Sequence, residues 1–116
     1  MKRFMAIYTG TPAGRAEWDR LSAEERNTRQ AAGMRAWHEW VAAHRDAIVE
    51  GGGPLGKTKR ASKQGVSDVR NNLAAYVIVQ AESHQAAARL FENHPHFSIF
   101  PGDGVEIMEC LPVPGQ

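Results

Sequence analysis

A chain of 116 residues, 42% hydrophobic and 23% charged, has the length and make-up of one layered domain and is too short for two. A formal net charge of +1 excludes nucleic-acid or membrane-surface binding driven by overall charge. Cys110 is the single cysteine, which excludes an intramolecular disulfide framework and suits a reducing compartment.

The opening Met1-Lys2-Arg3-Phe4-Met5-Ala6-Ile7-Tyr8 begins like a signal peptide, but its apolar run is short and Gly10-Thr11-Pro12 ends it. No stretch approaches the roughly 20 apolar residues of a membrane span, so a cytoplasmic protein without membrane contact is expected. Phe4 to Tyr8 is apolar at successive positions, the pattern of a central strand covered on both sides. Thr11-Pro12 starts a short helix carrying Trp18 and Leu21, with threonine as cap and proline at the first helical position. Ser22-Ala23-Glu24-Glu25 is a capping box, and the spacing predicts a long helix from there to about Asp46. Met34, Trp37, Val41 and Ile48 form its apolar stripe, with Trp40 to one side. At roughly 100° per residue, His44 falls inside this stripe and His38 near its edge. Core packing is the ordinary role for the two tryptophans, and a hydrogen-bonded core histidine the ordinary role for His44.

Gly51 to Thr58 matches the phosphate-binding pattern of glycine, four residues, then Gly-Lys-Thr. Such a loop cradles phosphate only between a buried strand and the N-terminus of a helix. Here a long helix precedes it, and Lys59 to Gly65 has no apolar face from which a helix could form, so nucleotide binding is not expected. The glycines instead allow a reversal into an edge strand over about 57–62, followed by a polar connection, Ser67 to Asn72. Ala75 to Ala81 is the clearest strand. Ser83 caps a second helix that turns Ala87, Leu90 and Phe91 inward and stops at His94-Pro95. After the Pro101-Gly102-Asp103-Gly104 turn, Val105 to Leu111 is the closing strand; each of its faces carries a carboxylate, Glu106 or Glu109, and Cys110 lies within it.

The predicted fold is therefore α+β: a ferredoxin-like β-α-β-β-α-β unit with an extra short N-terminal helix and a four-stranded antiparallel sheet. Helices can cover only one face of that sheet, yet the strands are apolar on both. A second copy of the chain is the simplest cover for the other face.

In the order and spacing of its segments the chain resembles the YCII-related family. The resemblance spans nearly the whole chain. It is carried by Phe4 to Tyr8, Gly52-Gly53-Pro54-Leu55, Tyr76 to Ala81, the helix with Ala86, Ala87 and Phe91, the turn Asn93-His94-Pro95, and Val105-Glu106-Ile107-Met108-Glu109. It implies a single YCII-related domain over 1–116, paired sheet to sheet into a dimeric α/β barrel, with a small-molecule cleft between sheet and helices. One branch of the family pairs a first-helix histidine with an aspartate before the proline of the final turn. Here His94 stands before Pro95, and the first-helix position falls near Trp37-His38. Another branch carries an Asp-Gly-Pro-Phe turn where this chain has Ser67-Asp68-Val69-Arg70. The family's acid–base pair is thus not carried over intact, and His94 alone keeps a matching place.

Asn93-His94-Pro95-His96-Phe97 is the main chemical feature. A titratable ring held by a rigid turn at a helix end can act as an acid or base near neutral pH. His94 is the candidate catalytic residue, with Glu106, Glu109, Asp103 or His38 as a possible orienting partner. Trp37, Trp40, Tyr76 and His96 are expected to shape a ligand pocket. His94 and His96 have no third ligand at a suitable spacing, so neither a metal nor another cofactor is expected. The expected activity is proton transfer on a compact aromatic or lactone compound, by an isomerase or lyase. The rival is a non-catalytic small-ligand-binding or regulatory dimer, and a third reading is an interaction module that contributes only its sheet face. A buried carboxylate on His94 would favour the enzyme; an enclosed apolar cavity without one would favour the binder.

Overall fold

Side-chain alternation in the first strand decides which side of the sheet becomes the core. In β1 (Lys2–Thr9), Phe4, Ala6 and Tyr8 are buried, while Met5 between them is 37% exposed. The computed structural model describes residues 1–115, and the chain continues through α1 (Pro12–Arg20), α2 (Ala23–Ala43), β2 (Ile48–Pro54), β3 (Thr58–Ser62), β4 (Gly65–Val69), β5 (Leu73–Ala81), α3 (His84–Arg89), α4 (Pro95–Ser98) and β6 (Gly104–Glu109). Four strands form one antiparallel sheet in the order β2-β5-β1-β6, the strand order of a ferredoxin-like fold. Phe4 lies opposite Val79 and Ala6 opposite Val77, so the apolar positions of the two central strands share one face. Trp40 of α2, Ala87 of α3 and the following Phe91 complete the core on that face.

The helix starts match their signals. Thr11 accepts the Gly14 N–H and Pro12 opens α1. Ser22 and Glu25 exchange both bonds of the capping box that opens α2.

Several elements depart from the sequence reading. The second strand of the main sheet is Ile48–Pro54, so α2 ends at Ala43 rather than near Asp46, and Ile48 belongs to a strand. Gly52 adopts φ +61°, and a Cβ there would lie 2.0 Å from the Tyr76 carbonyl oxygen; glycine lets β2 bulge against β5. The segment expected as an edge strand, 58–62, pairs instead with 65–69 in a separate two-stranded hairpin, so the supposed polar connection is partly strand. This hairpin is largely exposed, and the molecule measures 54 × 43 × 18 Å.

The inward face of α2 runs through Gly33, Trp37, Trp40 and His44 instead of Met34, Trp37 and Val41. Met34 and Val41 are exposed, because the Phe100 ring packs on Gly33 and turns the helix toward that side. Cys110 lies beyond β6 and is exposed, not buried in a strand. The sheet face away from the helices leaves Met5 and its cross-strand neighbour Met108 exposed, with Ile7 and Ile78 half-buried beside them. Among the described residues, no helix is long and apolar enough to cross a membrane.

Candidate functional site

The chain after α3 makes two sharp changes of direction, and each follows from residue type. Asn93 takes φ +56°, a left-handed conformation that asparagine tolerates better than most residues. His94 is extended because it precedes proline, and Pro95 opens α4 at the first helical position. The preceding helix, expected to run to about Asn93 with His94 at its mouth, ends at Arg89, and His94 is the cap of the next one.

Its hydrogen bonds fix its tautomer. Nδ1 accepts the backbone N–H of His96 at 3.0 Å, so the ring proton sits on Nε2, which donates to the Tyr8 hydroxyl at 3.3 Å. Aromatic rings close around it: Trp37 edge-on at 4.6 Å, Trp40 at 4.7 Å, Tyr8 at 5.0 Å and Phe91 at 5.9 Å between centroids. His94 is 0% exposed. Burial, reinforced by the neighbouring His96 and His44 imidazoles, pushes its pKa down to about 4. Burial likewise raises the Tyr8 hydroxyl above the usual tyrosine range. As placed, His94 is a buried neutral imidazole with both nitrogens engaged by the protein.

His96, two residues on, is arranged differently. Its Nε2–H donates to the Thr9 carbonyl at 2.6 Å, and the same carbonyl accepts the Asp103 N–H at 3.1 Å. One ring face stacks on Tyr8, 5.1 Å away at 23°. Gly102 lies against the ring at its Nε2 end, where a Cβ would come within 2.2 Å of Nε2, so only glycine leaves room for the ring. Among the described residues Nδ1 has no hydrogen-bond partner. Every fully buried side-chain nitrogen and oxygen among the described residues does have one, so Nδ1 is not fully buried although the residue as a whole is only 8% exposed. The ring borders an open cleft of ≈1710 Å³ between the start of α1, the turn at Pro101-Gly102 and the β3–β4 hairpin. A smaller depression of ≈490 Å³, walled by Trp18, Arg29 and Phe100, has no histidine on its border.

The remaining expected site residues are dispersed. Trp37 and Trp40 pack around His94 rather than line the cleft, and the Trp40 indole N–H is bound to the Leu90 carbonyl at 2.8 Å. Tyr76 lies on the opposite sheet face, in register with Ile7. There its hydroxyl donates to Glu50 at 3.0 Å, which raises its pKa. Glu106 is in register with Ile7, again on the far face; Glu109 is exposed at the end of β6, and His38 is exposed on α2. None of the three bonds to His94. Asp103 accepts the Thr9 hydroxyl at 2.6 Å. His44 is a helix-end histidine, its Nδ1–H donating to the Trp40 carbonyl at 2.8 Å. Among the described residues, no three metal-ligating side chains converge.

Sequence reasoning missed Tyr8, the Thr9 carbonyl and Gly102. A tyrosine at a buried strand position carries one usable signal: its hydroxyl needs a polar partner from elsewhere in the core.

No family model matches the chain, and no curated protein matches it. Among solved structures the chain is similar to 5-chloro-2-hydroxyhydroquinone dehydrochlorinase from Burkholderia phenoliruptrix AC1100, in complex with 2,5-dihydroxybenzoquinone. The two share 15% sequence identity with a TM-score of 0.54, over 94% of this chain and 93% of that one. At that identity the likeness is one of fold.

Proposed function

We propose that the protein is a small-molecule enzyme of proton-transfer type, an isomerase or lyase, in which His96 is the acid/base group and His94 positions it. The observation that carries this reading is the His96 ring. One nitrogen is tied to the Thr9 carbonyl, Tyr8 and Gly102 pack against the ring, and the other nitrogen has no partner among the described residues, on a ring that borders the cleft. A ring held in this way offers a lone pair in a fixed direction. Nδ1 takes a proton from a carbon beside a carbonyl, leaving the electron pair on the substrate as an enolate. It then returns the proton to another atom, or the enolate expels a leaving group. The Thr9 carbonyl steadies the imidazolium formed in between. His94 acts one step back: its Nδ1 holds the His96 N–H, and its Nε2–H holds Tyr8, on whose ring His96 lies.

The enzymatic nature of the structural neighbour supports the class of activity, and the exposed Met5–Met108 face supports a homodimer joined sheet to sheet, as in the YCII-related family. A second reading, a non-catalytic ligand-binding dimer, has one observation in its favour: among the described residues no carboxylate hydrogen-bonds either imidazole.

Incubation in D2O with a panel of compact carbonyl compounds and hydroquinones separates the two. Proton NMR should show enzyme-dependent deuterium uptake at a substrate carbon. Uptake should fall by about 10² to 10⁴ in His96→Gln, the usual contribution of a positioned acid or base. Binding without exchange, or exchange that survives His96→Gln unchanged, would leave the binding dimer as the better account.

A further inference from the structure

Positive charge gathers in the cleft beside His96 from separate parts of the chain. Arg15 comes from α1, Lys57 and Lys59 from the start of the hairpin, and Arg70 from its end; Asp19 and Asp68 share the lining. Lys59 pairs with Asp68 at 2.7 Å, and among the described residues Arg15, Lys57 and Arg70 have no ion-pair partner. Four cations less two carboxylates leave the cleft at +2, whereas the whole chain is only +1, so the rest of the molecule nets to −1. The charge is therefore local, and the near-neutral total conceals it. α1 also opens on the cleft at Thr11 and Pro12, adding the positive end of its dipole. Phe100 and Leu55 supply apolar wall in the same lining.

We infer that the cleft takes a compact organic anion, an aromatic or enolic carboxylate. Its charged end lies among Arg15, Lys57 and Arg70, and its carbon framework lies on Phe100 beside His96. The catalytic part of this inference rests on the acid/base reading of His96; the binding part does not. The chemistry agrees with the charge. Removing a proton next to a carbonyl in a molecule that already carries a carboxylate creates a second negative charge, and fixed cations stabilise that state more than the ground state.

The test uses matched pairs of aromatic carboxylic acids and their methyl esters, with phenylpyruvate and its ester among them because their benzylic protons exchange. Affinity is read by ligand-observed NMR, and turnover by deuterium uptake. The acids should bind more tightly than their esters, and this preference should fade as salt rises. Arg15→Gln and Arg70→Gln should each weaken the acid by about fivefold, the scale of an exposed ion pair, and leave the ester unchanged. Lys63→Gln, which removes the same charge at the hairpin tip outside the cleft, should leave the acid unaffected. If no acid in the panel binds more tightly than its ester, or if Lys63→Gln weakens binding as much as the arginine variants do, the inference is overturned. Arginine-dependent binding of an acid without exchange would uphold the anion site and count against His96 as the base. Equal binding of acid and ester, with exchange lost in His96→Gln, would do the reverse.

Discussion

Acidification should destabilise this protein through His94, and the size of the effect follows from its enclosure. The ring is 0% exposed among four aromatic side chains, close to His96 and His44, and its pKa is pushed down to about 4 from the ordinary 6.5. Below pH 6.5 the unfolded chain gains a proton at this position that the folded chain refuses. Stability is therefore full above pH 6.5, falls as pH drops toward 4, and loses nothing further from this group below that. A difference of about 2.5 units at 1.36 kcal/mol each gives a loss on the order of 3 kcal/mol, with a limiting slope of about 1.4 kcal/mol per pH unit. His94→Asn keeps an acceptor for the His96 N–H, since asparagine is a good cap, but cannot titrate. Urea unfolding followed by tryptophan fluorescence at pH 7.0, 6.0, 5.0 and 4.5 measures both proteins. Their difference isolates His94, because the other histidines and the carboxylates are common to the two. The wild type should lose its margin over the variant as pH falls. Parallel pH profiles, or an NMR titration placing His94 above pH 6, would show that the enclosure admits a charged ring. That result would return His94 to contention as the acid/base.

Two further substitutions probe other parts of the arrangement. Gly102→Ala puts a methyl group into the space of the His96 ring, so stability should fall by about 1–3 kcal/mol, as for other overpacked sites. Deuterium exchange should fall with it, as in His96→Gln; retained exchange would mean that the fixed ring position is irrelevant. For the dimer, Met5→Glu sets a charge beside Met108 on the open sheet face. Sedimentation should show a wild-type dimer and a folded monomeric variant; a wild type that is monomeric at micromolar concentration refutes the pairing.

Local signals were legible in the sequence wherever the physics is local. Thr11-Pro12 and Ser22 to Glu25 form the caps that they spell, because a cap is a bond between residues three apart. The apolar runs at Phe4 to Tyr8 and Ala75 to Ala81 became the two central strands, because alternating burial follows from strand geometry alone. The α+β class and a four-stranded antiparallel sheet followed from element order. The phosphate-loop pattern was set aside for its context, of which half holds: a strand, β2, and not a helix precedes it, but Lys57 and Thr58 lead into β3, with no helix behind them.

What the tertiary structure decided depends on contacts between residues far apart in the chain. Met34 and Val41 have the spacing of a core stripe, but the rotation of α2 was set by Phe100 packing on Gly33. The charged hairpin lacks apolar alternation, so the sequence reads its first strand as an edge of the main sheet and its second as a connection; backbone pairing joined the two to each other. His94 and His96 are alike in sequence, each a histidine beside Pro95. Which ring is enclosed and which keeps a free nitrogen was settled by Tyr8 and the Thr9 carbonyl, more than eighty positions away. Burial and hydrogen bonding distinguish two chemically identical rings, and both are properties of the folded chain.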